Sequence, residues 1–299
     1  MTTALRPALL AALGLLTALA ASCRPDPGRP SRIAFMIERS GIDTDLMLVE
    51  SDGSRPVAVA PNPERDETPA WSSGGLSLVF ASGRDGRHGL WEWRAADGSL
   101  ERLNEAPWLD LAPSVSPDGK SIAFMSRRDG NWEIYVMTAD GRRHRRLTQE
   151  PAADYWPSWS PDGTKIAFVS ERSGAMDVYV MDAEGKDPKP LTNDRAHDSR
   201  PAWSPDGSRI AWASDREGKL AIYVMDPDGK NVRRLTPLDS EAEDPAWSPD
   251  GRRLCFVSGR TGFRELWVMN ADGTAPRALT DLKGSVHCPA WSPFLPGSK

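Results

Sequence analysis

Pro157-Ser158-Trp159-Ser160-Pro161-Asp162-Gly163, followed by Lys165-Ile166-Ala167-Phe168-Val169-Ser170, is the stretch whose reading decides the fold. By itself it is a hairpin: an extended Pro-x-Trp run enters a Pro-Asp-Gly turn and a β-rich run leaves it. The leading proline recurs at Pro69, Pro113, Pro157, Pro201, Pro245 and Pro289, each 44 positions after the last. A fixed period between roughly 20 and 50 residues marks a solenoid, a propeller or an array.

Outward from the turn, the same period holds. Strand-like cores follow at Leu78-Val79-Phe80, Ile122-Ala123-Phe124, Ile166-Ala167-Phe168, Ile210-Ala211-Trp212 and Leu254-Cys255-Phe256. A second set comes at Leu90-Trp91, Ile134-Tyr135-Val136-Met137, Val178-Tyr179-Val180-Met181, Ile222-Tyr223-Val224-Met225 and Leu266-Trp267-Val268-Met269. Leu103, Leu147, Leu191, Leu235 and Leu279 close each unit. Each unit thus holds four short strands, A to D, with no helical stretch between them, as in a propeller blade. The chain ends set the blade count. Ile33-Ala34-Phe35 opens a unit with strands B, C and D but no strand A, and Pro289-Ala290-Trp291-Ser292-Pro293 is a strand A with nothing after it. Joined, they complete a sixth blade. The expected fold is an all-β, six-bladed propeller with no free sheet edge at its seam, and Trp291 is expected against Ile33-Ala34-Phe35.

The repeat Pro-x-Trp-Ser-Pro-Asp-Gly, Ile-Ala-Phe-x-Ser-x-Arg-x-Gly, Ile-Tyr-Val-Met, Leu-Thr resembles that of TolB-type propellers of the bacterial envelope, over residues of about 31 to 293. TolB-type proteins carry an α/β domain before the propeller, for which this chain has no room. The resemblance implies an envelope protein or lipoprotein as partner, bound at the mouth of the central channel. Related propellers also accompany serine peptidases or act as metal-dependent lyases of acidic sugars, which makes an enzyme the alternative reading.

Composition agrees. With 42 acidic against 37 basic residues, the chain is mildly acidic, which argues against a nucleic-acid partner. Twelve tryptophans suit the packing between blades. Residues 1–22 read as an export signal, with Arg6 before an apolar core too short to span a membrane. Leu19-Ala20-Ala21-Ser22-Cys23 resembles a lipobox, which makes Cys23 the expected lipidation site; an ordinary secretory signal is the alternative. Residues 23–31 are then the lipidated cysteine and a Pro/Gly-rich tether, 32–294 the propeller and 295–299 a tail. The expectation is a monomer in the periplasm or envelope, held to an unspecified membrane by lipid alone. Cys255 and Cys288 are expected as buried thiols, with a disulfide as the alternative.

Two polar positions keep the period. An arginine ends strand B at Arg39, Arg84, Arg128, Arg172, Arg216 and Arg260, and an aspartate stands three residues before the proline at Asp66, Asp110, Asp154 and Asp198. Antiparallel strands bring each pair within reach, so they read either as repeated ion pairs or as a charged collar at the channel mouth able to take a cation or a basic segment. Trp108, Trp132, Tyr155 and Trp156 break the period on the face carrying the D–A and B–C loops, and are candidates for partner binding, with gap-filling between blades as the plainer alternative. Catalytic and metal constellations are weak: His88, His144, His197 and His287 fall in different units without metal-ligand spacing, and no Gly-x-Ser-x-Gly occurs. The Asp-Gly pairs are explained as turns. No cofactor or metal is expected.

Overall fold

A computed structural model describes residues 30–40, 43–86, 88–104 and 108–295. The expected signal, Cys23, nearly all of the tether and the last four residues lie outside the described residues. The described chain forms six four-stranded antiparallel sheets, and among the described residues there is no helix. Blades 1 to 5 use consecutive strands; their A strands are Asp66–Trp71, Asp110–Val115, Asp154–Trp159, Asp198–Trp203 and Ala242–Trp247. Blade 6 joins the two ends of the chain: Ser285–Trp291 lies beside Arg32–Ser40, followed by Asp43–Glu50 and Val57–Val59. Ile33 is the register partner of Trp291, as the repeat requires.

Strand B is sandwiched between its neighbours in the sheet and between two adjacent blades. Its runs are therefore continuously apolar rather than alternating, and Ile166, Ala167 and Phe168 are all buried. Each face of the strand supplies a different interblade core. Ile166 and Phe168 of blade 3 pack with Ala123, Met125, Ile134 and Val136 of blade 2, while Val169 and Val178 pack with Ile210 and Trp212 of blade 4. Strand D is the outer edge and is short, and in blades 2 and 4 it is charged, as His144–Arg146 and Arg233–Arg234, which blunts it against pairing with other chains. Cys255 and Cys288 are free and buried.

Within each of blades 1 to 5, one aromatic pair spans strands B and C: Phe80↔Trp91, Phe124↔Tyr135, Phe168↔Tyr179, Trp212↔Tyr223 and Phe256↔Trp267. Such a pair contributes about 0.5–1.5 kcal/mol beyond its buried area. The periodic arginine lies over it. Arg172, for example, sits 5.5 Å from the Phe168 ring and 5.0 Å from that of Tyr179. This stacking gives the arginine a structural reason to repeat.

The seam is clasped by more than one strand ladder. Trp291 donates its indole N–H to Ser31 Oγ at 3.1 Å, and Trp71 of blade 1 donates to the Ala290 carbonyl at 3.0 Å. Ser292 N–H donates to the Arg32 carbonyl, and Arg32 N–H returns a bond to Ser292 Oγ. Blade 6 also leans on blade 5 through the turn at Gly53. There φ is +89°, and a Cβ would lie 2.0 Å from the Leu279 carbonyl oxygen. Only glycine fits. Deleting residues 291–299 should therefore expose the Ile33 edge and lower stability by more than about 3 kcal/mol in a urea titration. A deletion variant as stable as the parent would contradict closure through this strand.

Candidate functional site

The residue before each periodic proline is the point where the repeat stops repeating in chemistry. Thr68, Ala112, Trp156, Arg200, Asp244 and Cys288 occupy this position in blades 1 to 6. Their backbones are nevertheless alike, with φ of +50°, +51°, +48°, +51°, +53° and +52°. At each, the A–B register slips, for example between Tyr155 and Ser158. This is a β-bulge, which bends the strand and re-aims a side chain. Left-handed backbone at a non-glycine residue costs on the order of 1 kcal/mol or more and clusters where function constrains the chain.

All six line one cavity of about 490 Å³, the central channel. Behind them the six prolines line the same space, and Ser72, Ser116, Ser160 and Pro293 lie farther along it. Strand A is the innermost strand, so its free edge faces the channel. Proline there removes the donor that an intruding strand would need. The channel is thus shaped for side-chain contacts rather than strand addition.

Around the mouth the side chains form an unequal ring. Arg200 Nε donates to Asp244 Oδ1 at 2.6 Å, and the Arg200 guanidinium lies 5.2 Å from the Trp156 ring. Asp244 Oδ2 accepts the Cys288 N–H at 2.8 Å, and Thr68 Oγ1 accepts the Ala112 N–H at 3.1 Å. Each acceptor thereby spans two blades. Burial opposes the charge on Arg200, but Asp244 beside it holds its pKa above the usual value. Burial pushes the Cys288 thiol up to about 12, against the pull of Arg200, so it is no nucleophile near neutral pH. Burial, then Arg264, lowers the pKa of His287, which accordingly stays neutral at pH 7. One side of the mouth is aromatic and cationic, the opposite side small and neutral.

Of the two readings of the periodic charges, the structure has the ion pairs, and the collar at the channel mouth is corrected. The side chains of Asp66, Asp110, Asp154 and Asp198 are wholly buried, and none of them lines the channel. Each is paired inside its blade, to Arg84 at 3.0 Å, Arg128 at 2.7 Å, Arg172 at 2.9 Å and Arg216 at 3.2 Å. Burial raises the pKa of Asp66, Asp154 and Asp198 although serine hydroxyls and the arginines pull the other way. The serine at the end of strand B holds each arginine's Nε, as in Arg172 Nε to Ser170 Oγ at 2.7 Å. These charges are spent on one another. Arg260 lacks such an aspartate, because Ala242 takes its place.

The aromatic rim is only partly as expected. Trp132, Tyr155 and Trp156 form one run of rings, with centroids 6.4 and 5.4 Å apart. They are half-buried against the cores that join blades 2, 3 and 4, as are Trp159 and Trp203. Packing between blades claims much of their surface, which is the gap-filling alternative, and Trp156 alone of the three reaches the channel. Trp108 is 44% exposed, but it lines a separate pocket of about 520 Å³ with Arg102, Arg142 and His144. Sequence reasoning missed Thr68, Ala112, Arg200, Asp244 and Cys288 as one set. Their signal was available: a position that varies freely beside an invariant proline.

Among the described residues no group of three or more His, Cys, Asp or Glu side chains is placed to hold a metal ion. The sequence pattern of the TolB beta propeller domain matches residues 30–295. No curated protein sequence matches the chain. Among solved structures, the chain is similar to TolB from Acinetobacter baumannii, with 28% identity and a TM-score of 0.79 over 88% of this chain and 67% of that one. It is similar to a putative TolB from Agrobacterium tumefaciens, with 28% identity and a TM-score of 0.71 over 86% and 90%. An oligogalacturonate lyase from Vibrio parahaemolyticus shares the fold alone, with 13% identity and a TM-score of 0.57 over 79% of this chain and 71% of that one.

The strain at the ring has a direct test at its smallest apolar member. Replacing Ala112 by glycine relieves the left-handed backbone while loosening the unfolded chain, so the two effects nearly cancel and the cost should stay under about 0.5 kcal/mol. Ala123→Gly, in the buried strand B of the same blade, should cost about 1 kcal/mol or more. Equal losses in urea denaturation would remove the strain from the account.

Proposed function

The chain belongs to the TolB β-propeller family, and on that premise we propose that it is a protein–protein interaction module of the cell envelope, gripping a polypeptide partner at its channel mouth. The observation that carries this reading is the ring of six pre-proline residues. One backbone geometry repeats six times, while the side chains it presents to a cavity of about 490 Å³ are all different. Blades 2 and 3 repeat the buried Phe124 and Phe168, whereas at the ring position the repeat keeps the backbone and changes the side chain. Function resides in what varies on a rigid scaffold. Trp156 and Arg200 are residue types enriched at the energetic centres of protein interfaces, and here they are stacked and held by Asp244 before any partner arrives.

The rest of the reading follows the sequence. Residues 1–22 export the chain, Cys23 carries a lipid anchor, and the short tether keeps the propeller close to the membrane surface. The resemblance to TolB-type propellers supports an envelope location and a partner that is itself an envelope protein or lipoprotein. No catalytic role is assigned. The propeller acts alone as a monomer.

Two measurements test this. A photo-crosslinking residue at position 112 should capture an envelope polypeptide in vivo. Arg200→Ala should lower that capture at least tenfold while the protein stays folded. Capture from position 108 but not from 112 would move the interface to the outer rim and contradict the channel reading. For the anchor, Cys23→Ala should release the protein from the membrane fraction into the soluble periplasmic fraction. A wild type already soluble after export would contradict lipidation.

A further inference from the structure

Five periodic arginines share one setting, and one of them lacks a part of it. In blades 1 to 4 the guanidinium lies over the aromatic pair, its Nε donates to a strand-B serine, and its Nη2 donates to the buried aspartate at 2.7 to 3.3 Å. Arg260 of blade 5 keeps the first two contacts. It lies 4.5 Å from the Trp267 ring and 5.7 Å from the Phe256 ring, and its Nε donates to Ser258 Oγ at 3.2 Å. Its Nη2 is buried and has no hydrogen-bond partner.

Two sequence changes take carboxylates away from that guanidinium, and a third removes the acid that a neighbouring threonine would serve. Ala242, fully buried, stands where Asp154 and Asp198 stand in blades 3 and 4. Leu238 stands where Glu150 and Asp194 give Arg172 and Arg216 a second carboxylate, each at 3.3 Å. Thr236 is the repeat equivalent of Thr192, whose hydroxyl donates to Asp177 Oδ1 at 3.2 Å and lies beside Asp198. The Asp177 position is Ala221 in blade 4, so the buried Thr236 hydroxyl, which accepts the Ile222 N–H at 2.9 Å, has neither acid beside it. Asp239 attracts Arg260 only from a distance, and Glu243 is engaged by Arg264. Arg260 is the one such arginine in blades 1 to 5 with no carboxylate partner among the described residues.

An unpaired guanidinium donor in a dry setting is costly, and proteins supply it with an acceptor. We propose that blade 5 binds a small monovalent anion of halide size in the place that aspartate carboxylates fill in blades 1 to 4, held by Arg260 Nη2 and the Thr236 hydroxyl. The size follows from the substitution: an Asp-to-Ala change removes one carboxylate group, whose bulk is close to that of a chloride ion. The ligand class follows from the donors, which are all hydrogen-bond donors with one positive charge. The blade is thus completed by solute rather than by its own chain. The site lies inside blade 5 and is separate from the channel ring.

The test is calorimetric melting of the full chain in sodium chloride or bromide against sodium gluconate at matched ionic strength, gluconate being too large to enter. The wild type should gain roughly 2–4 °C, saturably, in either halide. Ala242→Asp should melt higher than the wild type in gluconate and lose the halide response, because it carries its own anion. If that variant does not fold, Arg260→Met serves instead and should also lose the response. In bromide-grown crystals an anomalous peak should stand beside Arg260 Nη2. Equal wild-type melting in halide and gluconate, an unchanged halide response in the variant that folds, or no peak at Arg260 would each overturn the site.

Discussion

Everything in this molecule rests on the pairing of a strand from one end of the chain with a strand from the other. A single four-stranded blade has two apolar faces and cannot cover both, as the unbroken burial of Leu78-Val79-Phe80 illustrates. Five blades in an arc would leave two such faces in water. The ladder between Ile33 and Trp291 removes both at once. Non-local pairing of this kind carries a loop-closure cost that grows only slowly with length, so closing a chain of this size adds little over closing one blade. What it gains is the whole of one interblade core, in which Ile33, Phe35 and Val49 meet Cys255, Leu266 and Val268.

The charges inside the blades serve the same end by a different route. Burying an aspartate is costly, and pairing it with arginine repays that only with good geometry and further hydrogen bonds. Here the arginine is placed first by stacking on an aromatic pair and by a serine hydroxyl, so the aspartate meets a partner already oriented. In blade 5, where no aspartate is present, the arginine keeps both the stack and the serine. The periodic pairs therefore belong to the architecture of each blade, while the channel takes its character from other residues.

Much of this could be read from the chain alone. The 44-residue period, the missing strand A at one end and the spare one at the other dictate six blades and their closure. The pairing of Trp159 with Ile166 follows from the Pro-Asp-Gly turn between them. The channel ring was less legible, for a physical reason. Alternation along a strand assigns side chains to faces only while the register is regular, and a bulge before each proline breaks it where the ring forms. A residue before proline is ordinarily extended, so nothing in Arg200-Pro201 or Asp244-Pro245 announces a left-handed backbone. Trp132, Tyr155 and Trp156 were legible only as two alternatives, partner binding or gap-filling, because non-repetition also arises when neighbouring blades share one gap-filling cluster, as these three do.

The central claim is that the seam is as much a part of one cooperative ring as any interior blade. Native-state hydrogen exchange measures this residue by residue. The amides of Ile33 to Ile37 and Val286 to Trp291 that bond across the seam should exchange only through global unfolding, with the same opening free energy and denaturant dependence as those of Ile166 to Val169 in blade 3. Seam amides that exchange through a local opening, at a free energy well below that of blade 3, would contradict it.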